Sequence, residues 1–207
     1  MKQVKTSGPG DDEVIALLER HRCPVPFHEV RTRFLGNIAA PLMTAGPMDA
    51  VKGLWGGELP EIESLDAANE LISALVMGLW NRLTVHQNHR AAFRLVRFEV
   101  PPTREGAAHL ALVRRQEIDG FVAGLFGNEG SIELPERAHQ ALGVLSEMRA
   151  MVAGIVDLLV DQTKPATPED ITQVLRNIQE LTKIAEVEIH KALLACKRAR
   201  RQEMGSE

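Results

Sequence analysis

This chain of 207 residues has no Tyr, only two Trp and six Phe, so aromatics make up 4% of it. Ala, Leu, Val and Ile must fill the core instead, and small aliphatic side chains favour helices packed closely on helices. The two cysteines, Cys23 and Cys196, are too few and too distant for a disulfide framework, and reduced thiols are expected. No stretch of about 20 apolar residues is free of charge, so no membrane span is expected. A net charge of −4 lacks the basic footprint of a nucleic-acid binder. Met1 to Asp12 is polar, carries Gly8-Pro9-Gly10 and lacks the apolar centre of a signal peptide; a mobile tail over 1–10 and a cytoplasmic protein are expected.

The chain is rich in apolar residues at helical spacing, punctuated by Pro and Gly. From Leu134 to Met204 two long amphipathic patterns are broken once, at Thr163-Lys164-Pro165-Ala166. In the second, Ile171, Leu175, Ile178, Thr182, Ala185, Ile189, Ala192 and Cys196 alternate spacings of four and three, a mean period of about 3.5 that suits a helix coiling on another. The pattern predicts a helix from Pro168 to about Met204, roughly 55 Å long at 1.5 Å per residue. Thr167 is its cap, Pro168 its first residue, and Glu169 and Asp170 supply acid to the first turn. Such a helix outreaches a domain of this size, so its stripe needs a partner from the hairpin or from another chain. The preceding helix has Pro135 at its first position, where the missing N–H costs nothing, and carries Ala138, Leu142, Leu145, Met148, Val152, Ile155 and Leu159.

Upstream the elements are shorter. Helices are expected from Asp11-Asp12 to near His21, from Phe27 to Ala39, after Gly46-Pro47 up to Trp55-Gly56-Gly57, from a Ser64 cap to near His89, and from Glu105 to Phe126. Phe93 to Val100 reads as loop or a lone strand, because Pro101-Pro102 forbids helix just after it. The fold class is therefore all-α: an N-terminal bundle of short helices over 11–130 followed by a long antiparallel helical hairpin over 131–207. Phe34, Trp55, Trp80 and Phe121 are expected to be its large buried side chains.

The order of these pieces also carries a likeness. Phe34-Leu35-Gly36, Gly46-Pro47 and Leu54-Trp55-Gly56-Gly57 form one block, followed by Trp80-Asn81-Arg82-Leu83 and by Asp119-Gly120-Phe121-Val122-Ala123-Gly124-Leu125. Over roughly 29–128 this resembles the YecA/YgfB-like family of small all-helical bacterial proteins. The chain departs from the family pattern at Arg33, at Trp80 and at Glu117-Ile118, and it lacks the cysteine-rich zinc tail of some members. The resemblance implies an all-α fold, no inherited zinc and no agreed catalytic residues.

The candidate chemical sites are sparse. Glu136 and His139 have the spacing of a di-metal ligand pair but no second copy to complete it, and Glu136 suits the first turn of a helix. His86 and His89 could join His21, Cys23 or His28 around a metal, yet His is also favoured at a helix end. Cys23 precedes a proline with no nearby pattern that supplies a nucleophile's base, and Cys196 falls on the apolar stripe, where a buried thiol behaves as a small hydrophobe. Gly120 and Gly124 read as a seat for a closely approaching backbone. Gly124 to Gly130 lacks the Lys-Ser/Thr of a phosphate loop. The basic run Lys197 to Arg201 reads as a solvated helix end without aromatic neighbours for base stacking.

No catalytic set, metal or cofactor is expected from these residues. The leading expectation is a non-enzymatic regulator or adaptor acting through protein–protein contacts, with a homodimer formed by the C-terminal helices. Val174, Ile178, Leu181 and Ile189 are the expected interaction surface. Ile184 on the last helix, and Val144, Met151, Val156 and Leu158 on the one before, widen the apolar faces beyond what a hairpin alone can cover. A nucleic-acid-linked regulator using the basic C-terminal end, and a metal or small-molecule enzyme with a helical site, remain open as alternatives.

Overall fold

A computed structural model describes residues 5–6, 10–40, 46–127, 132–161, 163 and 165–204. It is all-α, with seven helices among the described residues. They are α1 (Asp11–Arg20), α2 (Phe27–Ala39), α3 (Pro47–Gly53), α4, which begins at Leu65–Ile72, α5 (Arg104–Phe126), α6 (Glu136–Val160) and α7 (Pro168–Met204).

The caps follow local chemistry. Ser64 Oγ accepts the Ala67 N–H at 3.1 Å, and Asp49 accepts the Gly46 N–H at 2.9 Å. Thr167 and Asp170 exchange bonds, the Asp170 N–H donating to Thr167 Oγ1 at 3.2 Å and the Thr167 N–H to Asp170 Oδ2 at 2.9 Å. Thr103, absent from the sequence expectation, caps α5 by accepting the Gly106 N–H at 3.2 Å. Pro135, expected as the first residue of its helix, instead stands just outside it in extended conformation, and the helix starts at Glu136.

The fourth helix differs from the expected uninterrupted α-helix to His89. After Ile72 it widens into a π-helical stretch, Ser73–Trp80, returns as Asn81–Thr84 and tightens to a 3₁₀ turn, Val85–Gln87. Its buried leucines, Leu71, Leu75, Leu79 and Leu83, are spaced by four throughout. In an α-helix that spacing precesses by about 40° per step. A π turn of roughly 4.4 residues precesses the other way, so the mixed helix keeps the leucine row facing one neighbour.

The centre of the molecule is the crossing of α2 and α5, and glycine makes it possible. A Cβ on Gly124 would stand 1.9 Å from the Arg33 carbonyl oxygen, and one on Gly36 would stand 2.2 Å from that of Phe121. The close approach expected of Gly120 and Gly124 is thus present, and Asn37 Nδ2 seals it by donating to the Gly124 carbonyl at 2.8 Å. Phe34 and Phe121 are fully buried here. Trp55 and Trp80 are only half-buried, contrary to expectation. Trp55 lies against the surface with its indole N–H donating to the His21 carbonyl at 3.1 Å, and Trp80 meets Phe34 edge-on at 5.6 Å.

The hairpin α6–α7 lies on α5 and α2, and one apolar cluster runs from Val14 and Leu17 through Phe34 and Phe121 to Leu145, Ile189 and Cys196. The segment before α5 is irregular except for a two-residue strand, β2 (Arg97–Phe98), paired antiparallel with β1 (Lys5–Thr6). That pairing places Lys5–Thr6, within the tail expected to be mobile, on the bundle. The rest of 1–9 lies outside the described residues, as does the Asn128 to Ser131 part of the expected glycine-rich loop.

Candidate interaction surface

The buried face of α5 carries an ion pair that apolar periodicity does not announce. Arg114 and Glu117 lie one turn apart, both buried and bonded to each other. Arg114 also donates from Nε to Thr182 Oγ1 at 2.9 Å and from Nη2 to the Val96 carbonyl at 2.8 Å. Glu117 accepts the Val96 N–H at 3.0 Å. Glu186 of α7 accepts the Leu95 N–H at 3.0 Å and pairs with Arg94 at 2.6 Å. The extended segment around Leu95 and Val96 is therefore held by side chains from two helices, which satisfy backbone groups that no sheet pairs. Burial pushes the Glu117 carboxyl up to about 7, against the opposing pull of Arg114, the Val96 N–H and Arg31. The signal available in the sequence was a charged pair at Arg114 and Glu117 among the inward positions Val113, Ile118 and Phe121.

The other sequence candidates fall into structural roles. His28 Nε2 is bonded to Gln116 Oε1 at 2.8 Å. His86 bonds the Ala91 carbonyl through Nδ1 at 2.9 Å and stacks edge-on against Phe93, while His89 is exposed. Burial lowers the pKa of His86; burial and then the neighbouring His86 lower that of His190. Among the described residues no three His, Cys, Asp or Glu side chains converge to hold a metal ion. Glu136 accepts from Gln140 Nε2 at 2.8 Å. His139 instead faces a hollow of about 610 Å³ between α5 and α6, whose rim holds the Asp119–Arg149 ion pair. Burial raises the Cys23 thiol pKa and pushes the Cys196 thiol up to about 11, so both stay protonated and weakly nucleophilic at neutral pH.

The basic C-terminal run is partly occupied within the chain. Lys197 Nζ donates to the Gln87 carbonyl at 2.9 Å. Arg200 donates to the Ala40 and Ile38 carbonyls at 3.1 and 2.9 Å, capping the end of α2.

The four residues expected as an interaction surface do not form a free one. Ile178 and Ile189 are fully buried, and Val174 and Leu181 are half-buried against the chain's own apolar clusters. The reason is that α5 and α6, joined by α2 toward the C-terminal end, together cover the main stripe of α7 within the chain. The exposed row lies one flank over. On α6, Val144, Met151 and Leu158 are 36%, 55% and 44% exposed; on α7, Ile184 is 45% exposed. Val156 is half-buried. Val144 sits in a groove of about 470 Å³ between the two helices, with Ala141, Leu194 and Ala195 on its floor and Arg137, Lys191 and Arg198 around it. Met151 and Leu158 follow Val144 at sevens, so they continue the same face of α6. Ile184 precedes groove residues Glu188, Lys191 and Ala195 by four, seven and eleven, so it continues the facing side of α7.

No family model, no curated protein and no solved structure matches this chain. No helix among the described residues is long and apolar enough to cross a membrane.

Proposed function

We propose that this protein acts without catalysis, as a regulator or adaptor working through protein–protein contacts, and that the outer face of the α6–α7 hairpin makes the contact. The observation that carries the reading is the exposed row Val144, Met151 and Leu158 beside Ile184, on helices whose opposite faces are already buried. Large apolar side chains exposed in a row and rimmed by charge suit an association site. The remaining chemistry points the same way. The buried charges Arg114, Glu117 and Glu186 are committed to holding residues 94–96, and both thiols are held protonated. The proposal includes descent as a divergent relative of YecA/YgfB-like proteins, on the motif order from Phe34 to Gly124.

The first partner is a second copy, because a patch of this kind on a single-chain helical protein closes most simply by two-fold symmetry. The test is Met151→Asp with Ile184→Asp. Both positions are exposed, so stability should change by no more than about 0.5 kcal/mol each. Light scattering should find a dimer for the unmodified protein at micromolar concentration and a monomer for the double variant. An unmodified protein that stays monomeric across that range defeats self-association.

A further inference from the structure

The exposed row on α6 has an internal symmetry. Val144 and Leu158 lie seven residues on either side of Met151, about 10 Å each way at 1.5 Å per residue. A row of this kind is self-complementary under a two-fold axis through its midpoint, since antiparallel copies then set Val144 of one against Leu158 of the other at both ends. Charge is distributed to match. Arg137, Lys191 and Arg198 surround the groove at the Val144 end, where the lining acid, Glu188, is bonded to Lys191 at 2.6 Å. The hairpin's turning end carries exposed Leu158 and Val160 followed by exposed Glu169 and Asp170; among the described residues the cation there, Arg104, is bonded to the Leu158, Leu159 and Asp161 carbonyls, so the two exposed acids set the sign of the outer surface. Hydrogen bonds from Thr167 hold the Asp170 carboxyl below the usual carboxylate range, which keeps that end anionic.

We propose that two copies of this chain pack their hairpins antiparallel, with Met151 on the two-fold axis and the acidic turning end of each hairpin seated on the basic groove of the other. This rests on the association reading above and adds its orientation and register. A parallel arrangement would oppose like charges at both ends. An antiparallel one pairs unlike charges twice, and places apolar Leu158 beside the Ala141, Val144, Leu194 and Ala195 floor.

Site-directed cross-linking tests the register in the full chain, on a Cys23→Ser background that leaves only the buried Cys196. Met151→Cys is expected to yield a covalent dimer on mild oxidation, because residues on a two-fold axis meet their own copies within disulfide reach. Val144→Cys alone and Leu158→Cys alone should not cross-link, whereas an equimolar mixture of the two should. Met77→Cys, at a site on α4 more exposed than Met151, is the control for random collision. Arg137→Glu should weaken the dimer several-fold, and Glu169→Arg in the same chain should restore it. A protein that is dimeric by light scattering but whose Met151→Cys variant fails to cross-link overturns this register and leaves the association reading standing. A protein that is monomeric throughout overturns both.

Discussion

Gly124→Ala puts the glycine-mediated crossing of α2 and α5 to a quantitative test. The added Cβ would stand 1.9 Å from the Arg33 carbonyl oxygen and 2.8 Å from its carbon, both backbone atoms that cannot rotate aside. A comfortable non-bonded contact needs roughly 3.5 Å, so the helices must part by about 1.5 Å. Parting them loosens Phe34 and Phe121, which are fully buried beside the crossing, and strains the Asn37 bond to the Gly124 carbonyl. Overpacking costs about 1–3 kcal/mol and sometimes more, and a clash with backbone belongs at the upper end. Alanine's better helix propensity returns about 1 kcal/mol. The net expectation is a loss of about 2 kcal/mol, or roughly 4–8 °C in Tm for a domain of this length. Gly143→Ala is the matched control, since a Cβ there meets nothing within 4 Å. Only the propensity gain then remains, and that variant should gain about 0.5–1 kcal/mol. Urea unfolding followed by far-UV circular dichroism measures both, with an unchanged m-value required for the comparison. A Gly124→Ala protein as stable as the unmodified one would refute the close crossing.

Three further outcomes are expected. Glu117 has a folded-state pKa of about 7, raised by burial above the unfolded value of about 4.3, so the folded state binds the extra proton between those limits and this group's contribution to stability falls as pH rises through that window. Glu117→Gln should therefore change in stability relative to the unmodified protein as pH goes from 4.5 to 7 and level off above; a difference that is flat with pH counts against the raised pKa. Arg114→Met removes the partner of a buried carboxylate and the donors to Thr182 and the Val96 carbonyl, and should cost about 3–5 kcal/mol in denaturant unfolding, whereas a loss under 1 kcal/mol would mean the network does not hold the 94–96 segment. Phe121→Ala should cost about 3–5 kcal/mol at its fully buried site, measured in the same way.

Much of the fold was legible in the sequence because it depends on near neighbours. Helical spacing gave the fold class. Ser64 and Thr167 marked helix starts because a cap bonds groups three residues away. Gly120 and Gly124 marked a close contact because an absent side chain has few other uses on one face of a helix. The inward stripe of α7 was equally plain, and Val144, Met151, Val156 and Leu158 stood out as widening the face of α6, although Val156 is half-buried and only the other three form the exposed row. What the spacing left undetermined was the partner of each face. That Ile178 and Ile189 are sealed within the chain follows from α7 finding both α5 and α6 beside it, which no local pattern encodes. The clamp on residues 94–96 joins groups 21 and 91 positions apart, Val96 to Glu117 and Leu95 to Glu186, and the pairing of Lys5–Thr6 with Arg97–Phe98 spans the same kind of distance. Periodicity reports which way a side chain points relative to its own helix. Only the assembled tertiary structure decides what stands opposite, and hence which apolar rows end as core and which remain open to a partner.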